Sequence, residues 1–230
     1  MIVFIICLTL ALINSPSLSG PKLASYREIC ATIQGLVLPQ YPPDAISTGL
    51  QGDVLLDIEV DRDGKVSSMK EQSGPTVLAA AAHAAAMQWR FGKGPLARSL
   101  PEHAEIIFRY RIGRATDGLS DERDRLVVIV PSELAGSDML DAGGSTISFL
   151  AASRVQPPFP AGAKRQSARV EVEVETTDAG KVNAARAGPG DPAYRAISED
   201  TARQWTFRKI NLNGSPIRLR GRLVFNWVVN

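Results

Sequence analysis

The sequence predicts an α+β protein built of two tandem modules, each a three-stranded antiparallel sheet packed by helix, and three observations carry that expectation. The first is an internal repeat. Asp63-Gly64-Lys65-Val66 returns as Ala179-Gly180-Lys181-Val182, and Gln88-Trp89-Arg90-Phe91-Gly92-Lys93 returns as Gln204-Trp205-Thr206-Phe207-Arg208-Lys209, both 116 positions later. Two separated matches at one displacement mark a repeated supersecondary unit. The second is alternation: Val54, Leu56, Ile58 and Val60 interleave with Asp53, Asp57 and Glu59, as Val170, Val172 and Val174 interleave with Arg169, Glu171, Glu173 and Glu175. A period of two is that of a half-buried strand. The third is helical spacing. Leu78, Ala81, Ala85 and Trp89 correspond to Tyr194, Ile197, Thr201 and Trp205, and steps of three and four place each set on one helical face.

In chain order, residues 2–13 form an uncharged apolar run followed by small residues. A spanning helix needs about 20 apolar residues and a signal-peptide core only about 7–15, so residues 1–20 are expected to be an export signal, the alternative being a short anchor. Cys7 lies within that run, so cleavage would leave Cys30 as the one thiol, a buried apolar filler with no disulfide partner. The first module is placed at residues 38–112 and the second, more divergent, at 156–230. In each, a glycine that tolerates positive φ, Gly64 or Gly180, folds a second strand back as a hairpin. The helix follows, with Trp89 or Trp205 as a core residue. A last strand closes each copy through Ala104, Ile106, Phe108, Tyr110 and Ile112, or through Leu219, Gly221, Leu223, Phe225 and Trp227, and is expected at or near a sheet edge. Between the modules, residues 113–155 read as a connector with one short strand, Leu126-Val127-Val128-Ile129-Val130, ended by Pro131; Ser132 to Ser145 reads as loop or one weak helical turn.

A hydrophobic content of 44% with 22% charged residues excludes a mostly disordered chain. Basic and acidic residues total 26 and 24, a formal charge of +2, which gives no reason to expect nucleic acid as a partner. Catalytic signatures are missing as well. His83 lies in an alanine-rich helix and His103 at a strand start, neither at metal-ligand spacing, and both read as surface histidines. Asp61-Arg62-Asp63-Gly64 opens like a calcium loop, but Gln72 stands where the closing glutamate is needed, and a hairpin turn explains the segment. No nucleophile elbow, phosphate loop or dinucleotide fingerprint is present. The expectation is a non-enzyme with no cofactor and no metal.

The run Tyr41-Pro42-Pro43-Asp44-Ala45, then Gly49-Leu50-Gln51-Gly52, Val54-Leu55-Leu56, Val60-Asp61-Arg62-Asp63-Gly64-Lys65-Val66 and Trp89-Arg90-Phe91 resembles the TonB C-terminal domain family in order and spacing. The second copy keeps the Gly-Lys-Val turn and the Trp-x-Phe helix end but has Phe159-Pro160 in place of Tyr-Pro. The resemblance implies a periplasmic protein-interaction or coupling role, in which the last strand pairs with an extended peptide of an outer-membrane transporter or another envelope protein. It also implies that the Gln-Tyr-Pro segment lies near that contact, so Gln40, Tyr41 and Pro42 with Ile106, Phe108, Tyr110 and Ile112 form the candidate partner-binding set. An exposed strand edge offers unpaired N–H and C=O groups that a partner strand satisfies.

Other readings of the same residues stay open at this level. Tyr41-Pro42-Pro43 could set the direction of the chain and cover the sheet, since proline fixes φ and the ring buries area. The edge could serve pairing between modules or a homodimer, which would make the chain a structural envelope protein. The expected compartment is the periplasm; membrane contact, as an inner-membrane anchored form, requires the N-terminal segment to be retained. The link from that segment to the first module is only about twenty residues, spanning at most ~70 Å, and the long Pro-rich spacer of an energy transducer is missing.

Overall fold

The computed structural model describes residues 23–92, 100–114, 119–161 and 166–228. The apolar run at residues 2–13 lies outside them. The first described helix, α1 (Tyr26–Thr32), opens with a capping box: the Ser25 hydroxyl accepts from the Glu28 N–H at 3.2 Å while the Glu28 carboxylate accepts from the Ser25 N–H at 2.9 Å. It runs into β1 (Ile33–Leu38), a turn of helix α2 (Pro43–Ser47), and the hairpin of β2 (Gly52–Val60) and β3 (Val66–Ser73). Gly64 at the hairpin turn has φ +78°, and a Cβ there would lie 1.9 Å from the Phe91 carbonyl oxygen. Glycine is required because the Phe91 N–H donates to the Gly64 carbonyl at 2.7 Å, bringing the two backbones together. Helix α3 (Thr76–Ala86), β4 (Arg90–Phe91) and β5 (His103–Arg111) complete the first half. Val54, Leu56 and Ile58 of β2, Leu78, Ala82 and Ala85 of α3, and Ala104, Ile106, Phe108 and Tyr110 of β5 are buried in one core.

The second half follows as β6 (Leu119–Glu122), β7 (Arg125–Pro131), a 3-10 turn at Ser132–Leu134, β8 (Met139–Ala142), α4 (Gly144–Leu150), β9 (Ala151–Ser153), β10 (Ala168–Thr176), β11 (Val182–Ala187), α5 (Pro192–Arg203), β12 (Thr206–Phe207), β13 (Ile210–Leu212) and β14 (Ser215–Trp227). From α4 onward several backbone and side-chain hydrogen bonds of the first half recur. The Phe207 N–H donates to Gly180 O at 2.7 Å, the Arg208 N–H to Leu150 O at 2.8 Å as Gly92 does to Thr32 O at 2.7 Å, and the Trp205 indole to Val155 O at 2.9 Å as Trp89 does to Val37 O at 2.8 Å. Gly180 has the same φ as Gly64, +78°, and the same close approach, here to Phe207 O. The helix and strand ahead of each hairpin, α1–β1 and α4–β9, thus belong to the pattern, although their sequences show little likeness.

Two sheets differ from the expected three-stranded ones. The first has the order β3-β2-β5-β7-β6, and the second β11-β10-β14-β13-β1-β4, with β8 on β14 as well. The connector is therefore structured: the predicted strand at 126–130 is β7, and it pairs in parallel with β5 from Ile106↔Leu126 to Arg111↔Pro131. Residues 132–145, read as loop or one weak helical turn, contain the 3-10 turn at Ser132–Leu134 and also β8, which pairs in parallel with β14 from Arg218↔Met139 to Gly221↔Ala142. The halves are joined by β1, which runs parallel to β13 with Leu36↔Ile210 to Leu38↔Leu212 in register. An Asn213-Gly214 turn with φ +48° and +84° links β13 to β14, the two-residue geometry that suits strand twist.

Candidate functional site

The candidate residues drawn from the first copy divide into interior and surface. Ile106, Phe108 and Tyr110 are fully buried, and β5 lies between β2 and β7 rather than at an edge. The open margin predicted on this strand is filled by the chain's own connector, because the aliphatic run 126–130 buries Leu126, Val127 and Val128 completely there. Ile112, just beyond β5, is 43% exposed and its N–H donates to the Gln51 side-chain oxygen at 2.9 Å. Tyr41 is also interior: its hydroxyl donates to Leu50 O at 2.6 Å and its ring meets Tyr110 edge to face at 5.2 Å. Gln40 is exposed and accepts from the Asn213 side chain at 3.2 Å, so it meets the second half. Pro42 is half-buried and, with Gln40, lines a small cavity of about 230 Å³ against Ala81, Ala84 and Ala85 of α3.

Ion pairs clamp the filled margin. The Arg109 guanidinium on β5 bonds Asp53 on β2 at 2.8 Å and Glu122 on β6 at 2.7 Å, Arg111 reaches Asp53 at 2.9 Å, and Arg125 on β7 pairs with Glu105 on β5. Burial pushes the Asp53 carboxyl up, but the Arg109 hydrogen bonds and the charges of Arg109 and Arg111 outweigh it and hold the group below its ordinary value. Removal of β7 would break this lattice and expose the aliphatic row beneath it.

The corresponding strand of the second half is closed on one side and partly open on the other. β10 pairs with β14 from Arg220 to Trp227. On the opposite side β8 covers β14 only as far as Gly221, and Gly143 and Gly144 then turn the chain into α4. The Leu219 N–H points to the β10 side, where Thr176 accepts it at 3.0 Å, and the Arg218 N–H points to the other, where Asp138 O accepts it at 2.8 Å. Alternation along a strand then turns the N–H and C=O of Val224 and Asn226 outward. Among the described residues no strand pairs with that stretch. Leu223, Phe225 and Trp227 face the core, while Val224 is 44% exposed beside Arg222 and Glu171 in an open cleft of about 680 Å³. The sequence did carry a signal for the covered margin: the run 126–130 is aliphatic throughout, as suits a strand covered on both faces.

The histidines sit in no catalytic cluster. His83 and His103 are half-buried, each facing one carboxylate, Glu71 at 3.8 Å and Asp57 at 3.9 Å. Among the described residues there is no group of three or more His, Cys, Asp or Glu side chains placed to hold a metal ion, and no helix is long and apolar enough to cross a membrane. Cys30 is half-buried with its thiol beside Tyr26, and burial pushes that thiol up to about 11.

Neither a search of curated proteins nor one of solved structures returned a match. Residues 37–112 match the family model described as the Gram-negative bacterial TonB protein C-terminal, a span that begins at the end of β1 and stops one residue past β5. The first half of this chain therefore carries a domain of the TonB C-terminal family.

Proposed function

We propose that the chain is a periplasmic protein-interaction protein made of two copies of one TonB C-terminal-like unit, residues 38–112 and 156–230, and that it binds an extended peptide of an outer-membrane or other envelope partner by strand addition to β14. The observation that carries this reading is the stretch of β14 at Val224 and Asn226, whose outward backbone groups pair with no strand among the described residues and suit an incoming one. The family match to the first copy and the repetition of the Gly64, Thr32 and Val37 hydrogen bonds at Gly180, Leu150 and Val155 support the two-unit description. In this reading the first copy, with Gln40, Tyr41, Pro42, Ile106, Phe108, Tyr110 and Ile112, is scaffold, and the second copy receives. Export of the chain rests on the apolar run at residues 2–13.

The test is site-specific photo-crosslinking from position 226 in envelope preparations. An adduct with an outer-membrane protein, lost on Val224→Pro, is the expected result; an unchanged adduct in that variant rejects the reading. A second reading is favoured by the β1–β13 pairing: the units serve each other and the chain is a structural envelope protein without a transport role. Light scattering on the purified chain separates the two, since a dimer that Val224→Pro dissolves would place a second copy on β14.

A further inference from the structure

We propose that residues 23–26 are a latch on the β6–β7 hairpin: while they are seated β7 stays on β5, and when they are withdrawn the hairpin lifts from its tip. The tip carries strain. Arg123 and Asp124 form a two-residue turn between Glu122 and Arg125, with φ +52° and +67°, and both are exposed. This left-handed geometry suits Asn-Gly, as at Asn213-Gly214, whereas an arginine followed by an aspartate adopts it against the clash of Cβ with the backbone. Such a turn persists where its surroundings hold it.

The holding contacts come from far along the chain. The Tyr26 N–H donates to the Asp124 carbonyl oxygen at 2.9 Å and to Asp124 Oδ1 at 3.0 Å, and the Asp124 N–H donates to Asp121 Oδ1 at 2.9 Å. Tyr26 is the first residue of α1, where an amide has no acceptor within the helix, so turn and helix end satisfy each other. Two residues earlier the Ala24 N–H donates to His103 O at 2.8 Å, at the first residue of β5. Residues 23–26 thus bridge the start of β5 and the tip of the hairpin, at the end of the parallel pair where Arg125 meets Glu105. The hairpin base is held independently. The Leu119 N–H donates at 2.8 Å to the hydroxyl of Thr146, which is fully buried on α4, and the Gly113 N–H donates to the Ser132 hydroxyl at 2.9 Å just past β7. With the base tied to a buried group and the tip exposed and strained, opening starts at the tip, and the Tyr26 bond is what stands against it. Anything that draws residues 23–26 out of this seam therefore acts on the cover of β5.

Hydrogen exchange of the full chain, read by amide NMR, tests this with two variants that both lose the Tyr26 ring and differ in one N–H. Tyr26→Ala keeps the donor. Tyr26→Pro removes it, and proline suits the site because Ser25 ahead of it is extended, with φ −69° and ψ 159°, and position 26 opens the helix. The amides of residues 126–130 should exchange about tenfold or more faster in Tyr26→Pro than in Tyr26→Ala, while those of β10 and α5 match in the two. Equal exchange at 126–130 overturns the latch, and so does an equal acceleration across the whole chain, which would make the bond a general contribution to stability. Asp124→Ala against Asp124→Asn gives the same comparison without touching α1: asparagine keeps the Oδ1 acceptor, so only Asp124→Ala should loosen residues 126–130, and an equal pair again overturns the latch. Arg123→Asn with Asp124→Gly gives the turn its preferred residues, and in that background the two Tyr26 variants should differ at 126–130 by less than about twofold. A difference that persists there overturns strain as the reason for the latch.

Discussion

β5 and β14 occupy the same place in their halves and keep the same neighbour on one side, β2 or β10, but their other sides differ. β7 closes β5 from Ile106 to Arg111 and is locked there by Arg125 to Glu105 and by Arg109 to Glu122 on β6. β8 closes only the first part of β14, and its ion pairs, Arg218 to Asp138 at 2.7 Å and Arg220 to Asp141 at 3.6 Å, end where it does. Among the described residues, one architecture thus yields a saturated strand and an unsaturated one. The linker between the halves is long enough to fold back on β5 as β7.

Proline placed in each strand is the strongest way to break this comparison. Phe108→Pro removes a bond from a strand paired on both sides and deletes a buried ring that stacks on Trp89 at 5.7 Å, so a loss of roughly 4 kcal/mol or more is expected. Val224→Pro takes away only an outward N–H, and a loss within about 1 kcal/mol is expected. Urea denaturation of the two variants measures both; equal losses would mean that the β14 margin is not open in solution.

The tryptophans give a smaller contrast. Trp89 is fully buried and holds β1 through Val37 O, so Trp89→Ala should cost about 3–5 kcal/mol. Trp205 makes the equivalent bond to Val155 O but is only partly covered, in part by the Arg154 guanidinium 5.9 Å from its ring. Trp205→Ala should cost about 2–3 kcal/mol, because part of its surface is already in water. The order of the two denaturation midpoints is the readout.

Much of this was legible in the residues. The period-two runs located β2, β5, β10 and β14, the glycine turns located both hairpins, and the spacing of three and four located α3 and α5 within two or three residues. Trp89 and Trp205 lie two to three residues beyond the helix ends, yet their rings still pack on the sheets, as Trp89 does on Phe108 and Trp205 on Phe225. What escaped was non-local. The pairing of β7 with β5 joins segments about twenty residues apart in parallel, a relation that local pattern does not encode. The α1–β1 and α4–β9 correspondence is held by backbone hydrogen bonds, through Thr32 O and Leu150 O, which leave the side chains free to diverge. The Asn213-Gly214 turn was a readable hairpin signal that would have placed β13. The candidate set failed at the edge for the same reason: side-chain alternation in β5 shows two faces and says nothing about which margins are occupied.

Aromatic replacement at the leading segment sharpens the contrast further. Tyr41→Phe removes a hydroxyl whose bond to Leu50 O is 2.6 Å and leaves that carbonyl without its partner, a loss of about 1 kcal/mol. Its counterpart Phe159 lies edge to face on Tyr194 with the centroids 6.5 Å apart and is 37% exposed, so Phe159→Tyr should change stability by less than about 0.5 kcal/mol. Thermal melts of the two variants would contradict this account if Phe159→Tyr were the more damaging.

The acid side of the stability profile distinguishes the two sheets by their charges. Asp53 on β2 faces Arg109 and Arg111, whereas the repeat places Arg169 at the matching point of β10. The folded state holds the Asp53 carboxyl below its unfolded value, so its contribution is fully present above the unfolded pKa, about 3.9, and is lost as pH falls through the lower folded value. Asp53→Asn should therefore lower the urea midpoint at neutral pH and flatten its decline below about pH 4, and the wild-type and variant curves should converge at the acid end. The gap at neutral pH should be modest, since the carboxylate is 38% exposed and solvent screens the pair. Parallel curves for wild type and variant across that acid range would show that the Asp53 ion pairs do not contribute to holding β5 on β2.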